Sequence, residues 1–362
     1  MNSAAKMDSL NASLYNLDFT DLEVRLSEWG ESREWTREVW RAVYRQGIGD
    51  FEQVTALPPS VRARLADEFS LALPARIARQ ESSDGARKDL LQLSDGAQIE
   101  VVLMQYRRRL AVSEVERRSA CISTQVGCAC GCTFCATGQM GFVRQLTSGE
   151  IVAQVMGVQR ELLARGESLS NFVLMGMGEP LLNYENTLAA IRRLCDPRGW
   201  GFVERRITLS TAGIVPGIDR LADEGLRVNL AVSLHAATDD ARSALMPINR
   251  RYPLDELFAA LRRYTTKTRR RVLLEWVLIG GVTDTPEQVA ALAARVGDIP
   301  AHINLIQINP TPDFAAQPSS PEAIEAFTVA LDRAGIPHTM RQRRGAQIAA
   351  GCGQLRSQMN VT

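Results

Sequence analysis

From about residue 115 onward the chain alternates strand-length apolar runs with helical stretches, and this alternation restricts the fold more than any other feature. The runs are "ACISTQVGC", "NFVLMGMGEP", "RITLSTAG", "RVNLAVSLHA", "RVLLEWVLIGG" and "HINLIQINP". Six strands with helices between them imply an α/β fold, a parallel sheet with its helices outside, curled into a (β/α)6 barrel or a partial (β/α)6 barrel. The helices carry their own start signals. In "LTSGEIVAQVMGVQRELLARG", Thr147 and Glu150 stand in capping-box spacing, with Ile151, Val155, Met156 and Leu162 along one side. In "SSPEAIEAFTVALDRAG", Ser320 is the N-cap and Pro321 the first helical residue.

The N-terminal part reads differently, as a small helical accessory domain over residues 1–85. "FTDLEVRLSEWG" offers Thr20 and Glu23 as a capping box, "REWTREVWRAVYRQG" sets Trp40 and Tyr44 one turn apart, and "LPPSVRARLADEF" enters a third helix through proline. Arg33, Arg37, Arg41 and Arg45 form a stripe beside Glu34 and Glu38. An ion-paired surface explains that stripe, with RNA contact as the other reading. Residues 86–112 follow as a short β-rich connecting segment, because Gly-containing turns separate its apolar runs. The core then spans 113–349, and 350–362 form a tail.

With 45% hydrophobic and 23% charged residues in 362, the composition is that of a soluble globular protein of two or so domains. The start "MNSAAKMDSLNASLYN" has no apolar signal region, and no apolar run approaches the roughly 18 residues of a membrane span. A cytoplasmic protein without membrane contact is expected. The net charge of +1 excludes no partner class by itself, but its distribution is uneven: 12 Lys and Arg against 17 Asp and Glu in residues 1–100, and 30 against 24 beyond them. Basic clusters stand in "QYRRRLAVSEVERRS", "TTKTRRRV" and "MRQRRG". Each is ordinarily a solvated face; phosphate contact is the alternative.

Nearly every apolar run ends in a polar or reactive group. Cysteines follow the first, Gly178 and Glu179 the second, Ser210 and Thr211 the third, Ser233 and His235 the fourth, and Asn309 the sixth. In parallel β/α barrels that rim carries the active site. Helix capping is the competing account of Ser210 or Thr211.

Four of the seven cysteines fall in "GCACGCTFCATG". In a reducing compartment such a cluster holds metal or does redox chemistry more readily than it forms disulfides. Cys128, Cys132 and Cys135 make C-x3-C-x2-C, which lets one loop offer three thiolates to a 4Fe-4S cluster and leaves one iron open to chelate S-adenosylmethionine. A tetrahedral zinc site with Cys130 as fourth ligand is the other reading of the spacing.

"CISTQVGCACGCTFCATGQMGF" resembles the cysteine loop of the radical S-adenosylmethionine enzymes, specifically the RNA adenine methyltransferases of the RlmN and Cfr group. The likeness extends through "DGARKDLLQL", "IEVVLM", "FVLMGMGEPLLNY", "ITLSTAG", "VSLHAATDDARSALMPINRRYPLDEL", "INLIQINP" and "RRGAQIAAGCGQL". It implies methylation of adenosine carbon 2 in 23S rRNA and of the adenosine 3′ of the anticodon in tRNA, with the Cfr-type reaction at carbon 8 as the alternative. An sp2 carbon cannot displace a methyl group from a sulfonium, so the chemistry is radical, with two S-adenosylmethionine molecules consumed per turnover. By motif match Cys352 carries the methyl group, Glu100 removes the ring proton, and Cys121 releases the product. Gly178, Glu179, Ser210, Ser233, Leu234, His235 and Asn309 fall to S-adenosylmethionine binding. An electron donor such as flavodoxin or ferredoxin and a monomeric enzyme are also implied.

Read without the resemblance, Cys121 and Cys352 are small apolar side chains, Glu100 is an exposed residue at the head of a strand, and His235 is a core histidine. Cys195 reads as structural. Cys130 departs from the family's loop, as does Gln307 where a proline is expected.

Overall fold

The sheet that the apolar runs predict is present, and it is longer than the sequence suggests. The computed structural model describes residues 12–109, 114–309, 311 and 313–356. At the N-terminus a two-residue strand β1 (Ala12–Ser13) pairs in parallel with β2 (Phe69–Ser70), enclosing helices α1 (Phe19–Glu28), α2 (Arg33–Arg41) and α3 (Pro59–Glu68). Trp40 and Tyr44 meet inside this layer, fully buried with ring centroids 4.5 Å apart. The cap of α1 lies two residues earlier than the Thr20–Glu23 spacing predicts: Asp18 and Asp21 form the reciprocal box, so Thr20 sits inside the helix. Two of the stripe arginines are ion-paired, Arg33 with Glu23 and Arg41 with Glu38.

Next come antiparallel strands β3 (Ala75–Glu81), β4 (Ala86–Gln92), β5 (Gln98–Arg109) and β6 (Glu114–Cys121). The expected boundary at residue 85 therefore falls in a turn between two paired strands. The loop that follows holds β7 (Gln125–Gly127), the short helix α4 (Ala136–Gln139) and β8 (Phe142–Gln145), with β7 and β8 forming their own ribbon. The alternating part runs α5 (Ser148–Leu163), β9 (Asn171–Leu174), α6 (Tyr184–Cys195), β10 (Ile207–Thr211), α7 (Val215–Asp223), β11 (Asn229–Ser233), α8 (Asp239–Leu245), α9 (Leu254–Thr268), β12 (Val272–Leu278), α10 (Pro286–Val296), β13 (Ala301–Gln307), α11 (Pro321–Arg333) and β14 (His338–Met340).

Strands β6, β9, β10, β11, β12 and β13 are neighbours in that order, and every pair is parallel. Strand β14 adds a seventh parallel member, and β5, β4 and β3 continue the same sheet at the other edge. The parallel strands read as continuous apolar runs because both faces are covered: Leu274 and Trp276 on one face of β12, Val277 on the other, are all buried. Trp276 packs against Phe327 of α11 at 5.7 Å. Thr147 and Glu150 form the predicted capping box of α5, and Ser320 caps α11 with Pro321 in its first turn.

Arg193 of α6 joins the N-terminal layer to the core. Its guanidinium donates to the Asn16 carbonyl at 3.0 Å, to the Ser148 hydroxyl at 3.2 Å and to the Tyr15 carbonyl. Cys195 ends α6 packed against the core.

Candidate active site

The C-terminal ends of the parallel strands open on one cavity, and the cysteine loop closes its other side. Cys128, Cys130, Cys132 and Cys135 line it together with Gly178, Glu179, Ser210, Ser233, His235 and Asn309. Glycine shapes the loop. A Cβ at Gly127 would stand 1.9 Å from the Gly141 carbonyl oxygen, and one at Gly138 would stand 2.8 Å from the Cys132 carbonyl oxygen. Neither position accepts a side chain without moving the thiols.

Among the described residues no three His, Cys, Asp or Glu side chains are gathered tightly enough for a single metal ion, but four thiols lining one cavity are a donor set of the kind a larger iron-sulfur cluster takes. The Cys130 N–H donates to Cys128 Sγ at 3.5 Å, and the backbone N–H groups of Thr137 and Gly138 point at the Cys135 sulfur. Burial pushes the Cys132 and Cys135 thiols up, so thiolates there call for bound metal charge. Cys130 is also buried, in a small apolar cluster with Ala212, Ala236, Met246 and Val277.

Around the rim the predicted residues divide by what the tertiary structure does with them. Gly178 has φ +102, and a Cβ there would lie 2.5 Å from the Gln125 side chain; the Gln125 amide oxygen accepts the Glu179 N–H at 2.8 Å. Glu179 is buried and accepts the Leu181 N–H at 2.9 Å and the Ala212 N–H at 2.6 Å. Burial raises its carboxyl to about 7 against those hydrogen bonds. Thr211 proves to be the turn former, its hydroxyl accepting the Gly213 and Ile214 N–H groups ahead of α7, and it lines the cavity together with Ser210. Ser233 also lines the cavity. Leu234 does not: it is fully buried, its N–H donating to the Glu275 carbonyl at 3.0 Å.

His235 adopts a left-handed backbone, φ 60. Its Nδ1 accepts the Val277 N–H at 3.1 Å, which places the proton of the neutral ring on Nε2. Burial, helped by Arg242, depresses its pKa to about 3. Phe134 meets the ring edge-on at 5.0 Å.

A second cavity adjoins the first, sharing Asn309, Arg341 and Cys352, and holds Cys121 as well. Here the two distant cysteines face a common space. Cys121 lies at the end of β6, and burial, with the Cys352 thiol beside it, pushes its thiol up to about 12. Cys352 is exposed on the loop after β14. Asn309 anchors that loop, donating to the Cys352 carbonyl at 3.1 Å and accepting from Arg343 at 3.1 Å. Glu100 is not the exposed strand residue that its position suggests. It is fully buried and lines neither cavity; its carboxylate pairs with Lys88 at 3.1 Å and accepts the Arg356 N–H at 2.9 Å.

Among the charged residues that reach the site without an individual sequence assignment are Arg341, Glu275 and Arg242. Arg341 lines both cavities and pairs with Glu275 at 3.2 Å; Arg242 is buried behind the rim. Glu275 had a signal, a lone carboxylate inside the apolar run "RVLLEWVLIGG". The side chains of Arg107, Arg108 and Arg109, in the first basic cluster, lie outside the described residues.

The sequence model of the Radical SAM superfamily matches residues 122–293. The chain is 48% identical to "Dual-specificity RNA methyltransferase RlmN 1" of Myxococcus xanthus over 96% of this chain and 95% of that one. It is 44% identical to "Probable dual-specificity RNA methyltransferase RlmN" of Chloroflexus aurantiacus, covering 96% and 93%. The chain belongs to the RlmN family. A crystal structure of a radical SAM methyltransferase from Sphaerobacter thermophilus superposes with a TM-score of 0.90 at 46% identity, covering 96% of this chain and all of that one. Membership in this family makes the protein a radical SAM RNA methyltransferase, and the family implies a 4Fe-4S cluster and S-adenosylmethionine as its cofactors. Among the described residues no helix is long and apolar enough to cross a membrane.

Proposed function

We propose that this enzyme methylates carbon 2 of an adenosine in 23S rRNA and of the adenosine 3′ of the anticodon in tRNA, acting in the cytoplasm as a monomer fed by a flavodoxin or ferredoxin. The observation that carries this reading is the shared space of Cys121 and Cys352 beside the four-cysteine cavity. Cys128, Cys132 and Cys135 would hold the cluster, which when bound with S-adenosylmethionine supplies an electron and a 5′-deoxyadenosyl radical. Gly178, Glu179, Ser210, Ser233 and His235 would seat the cofactor's amino acid and nucleoside parts, with the neutral His235 Nε2–H as a donor. Leu234 contributes through its backbone position.

Cys352 holds the methyl carbon. Its exposed loop lets that carbon meet an adenine in the second cavity. Glu100 is assigned the ring proton, and one electron of the adduct would return to the cluster when it is bound. The Cys121 thiolate then attacks the Cys352 sulfur, the S–C bond breaks with its electron pair going to carbon, which takes a proton to become the product methyl group, and a Cys121–Cys352 disulfide remains. One S-adenosylmethionine loads the methyl group and a second starts the radical step. In the same reading residues 1–85 form an accessory layer for RNA, 86–112 connect it, 113–349 make the radical core, and 350–362 form the tail with the methyl-carrying cysteine.

Mass spectrometry of nucleosides from rRNA and tRNA tests the assignment. A deletion strain should lose 2-methyladenosine from both. Loss of 8-methyladenosine instead would transfer the chain to carbon-8 chemistry.

A further inference from the structure

Arg242 is one of the largest fully buried side chains in the protein. Its guanidinium donates four hydrogen bonds: Nε to the Leu234 carbonyl at 3.1 Å, Nη1 to Asn249 Oδ1 at 2.8 Å, and Nη2 to the carbonyls of Ala212 at 2.7 Å and Ser233 at 3.1 Å. All four acceptors are neutral. Among the described residues no carboxylate lies within ion-pair distance of it; its nearest carboxylate partner, Asp239, is partly solvated and bonded to Asn249 and Leu254, so the charge is only weakly compensated. A buried charge in that state is costly unless an anion completes the site.

The surroundings say where such an anion belongs. Arg242 sits on α8, whose last carbonyl, at Leu245, accepts the N–H of Thr133 at 2.9 Å. Thr133 follows Cys132 directly. The charged or ionisable neighbours of the guanidinium are Asp239 on its own helix, the neutral ring of His235, and the thiols of Cys132 and Cys130 across from it. Gly213 makes room, since a Cβ there would stand 3.2 Å from Nη2 at a backbone φ of +104. Burial lowers the guanidinium to about 10, which leaves it protonated at neutral pH.

We infer that Arg242 is the fixed positive charge against which the thiolate-bound cluster is set, and that it eases reduction of that cluster. The inference rests on the reading of Cys128, Cys132 and Cys135 as cluster ligands. A cluster with three thiolates is anionic, and adding an electron deepens that charge while Arg242 keeps its proton. A nearby cation therefore favours the reduced state, with little screening in so dry a site. Arg242 is a positioning residue in a second sense, since its donors tie the rim ends of β10 and β11 together.

The test uses the full chain, reconstituted anaerobically, as wild type, Arg242→Lys, Arg242→Gln and Asn249→Asp. Iron and sulfide are counted per chain, and the cluster is titrated by electron paramagnetic resonance without S-adenosylmethionine. At the potential that half-reduces the wild type, Arg242→Gln should show a reduced-to-oxidised ratio roughly tenfold lower. Arg242→Lys, which keeps the charge, should stay within about twofold. Asn249→Asp sets a carboxylate against Nη1 without removing the guanidinium and should lower the ratio in the same direction, which keeps the test alive if Arg242→Gln does not fold. An unchanged ratio in Arg242→Gln or Asn249→Asp, or a fall in Arg242→Lys as large as in Arg242→Gln, overturns the inference. Absence of iron and sulfide from the wild type itself would instead refute the cluster assignment.

Discussion

Lys88 Nζ lies 3.1 Å from Glu100 Oε1 in the hairpin of β4 and β5, and this buried pair holds both flanks of the Cys352 loop. The ammonium donates to the Ala349 carbonyl at 3.2 Å, three residues before Cys352, and the carboxylate accepts the Arg356 N–H at 2.9 Å, four residues after it. Removing one partner of a buried ion pair strands the other charge. Lys88→Met should therefore destabilise the chain by roughly 3 kcal/mol and speed alkylation of Cys352 by iodoacetamide. The double change Lys88→Met with Glu100→Leu should be less destabilised than Lys88→Met alone. Denaturant midpoints and peptide mass spectrometry check both parts; a double variant weaker than the single one would contradict the stranded-charge account.

The cluster ligands separate from the fourth thiol by iron content. Alanine at Cys128, Cys132 or Cys135 should abolish iron binding, because each removes one of three thiolates. Cys130→Ala should keep its iron and its brown colour, since that thiol packs among Ala212, Met246 and Val277. A colourless Cys130→Ala would mean the ligand set is different.

His235 links pH to stability. Its pKa is about 3 in the folded chain against 6.5 for an unperturbed histidine, so between those values the unfolded chain binds the extra proton and stability falls as pH falls. From pH 7 to pH 5 this residue should cost the wild type roughly 2 kcal/mol. His235→Asn accepts the left-handed backbone and lacks the titration, so that share of the loss should vanish. Urea midpoints of the cluster-free protein at both pH values measure it; identical pH slopes for the two proteins would rule it out.

The division of labour between the two distant cysteines has its own signature. Cys352→Ala should retain its cluster, never carry a methyl group and give no RNA product. Cys121→Ala should load the methyl group and attack adenine, then remain covalently attached to RNA for want of the releasing thiol. Denaturing electrophoresis would show a slower band that nuclease removes. Free methylated RNA from Cys121→Ala, at the wild-type rate, would end the two-thiol mechanism.

What the sequence could determine was local or periodic. The six parallel strands are legible because a strand covered on both faces must be apolar throughout, and Val272–Leu278 or Ala301–Gln307 announce that in their own residues. The caps at Thr147 and Ser320 are legible because a cap acts within one turn, although the same rule misplaces the start of α1, where Asp18 competes with Thr20 at nearly the same spacing. The cysteine loop is legible because its thiols come from eight consecutive residues. Strand β14 was not: three residues carry no period, and their pairing with β13 is what makes them a strand. Nor could the sequence place its charges. Glu100, Arg242 and Arg341 look like any surface residue in a list of letters, and only the packed sheet gives them Lys88, four neutral acceptors, or Glu275 as partners. A charge is buried or exposed by what the rest of the chain puts beside it, and the solvation energy that decides the matter belongs to that assembled environment rather than to the residue.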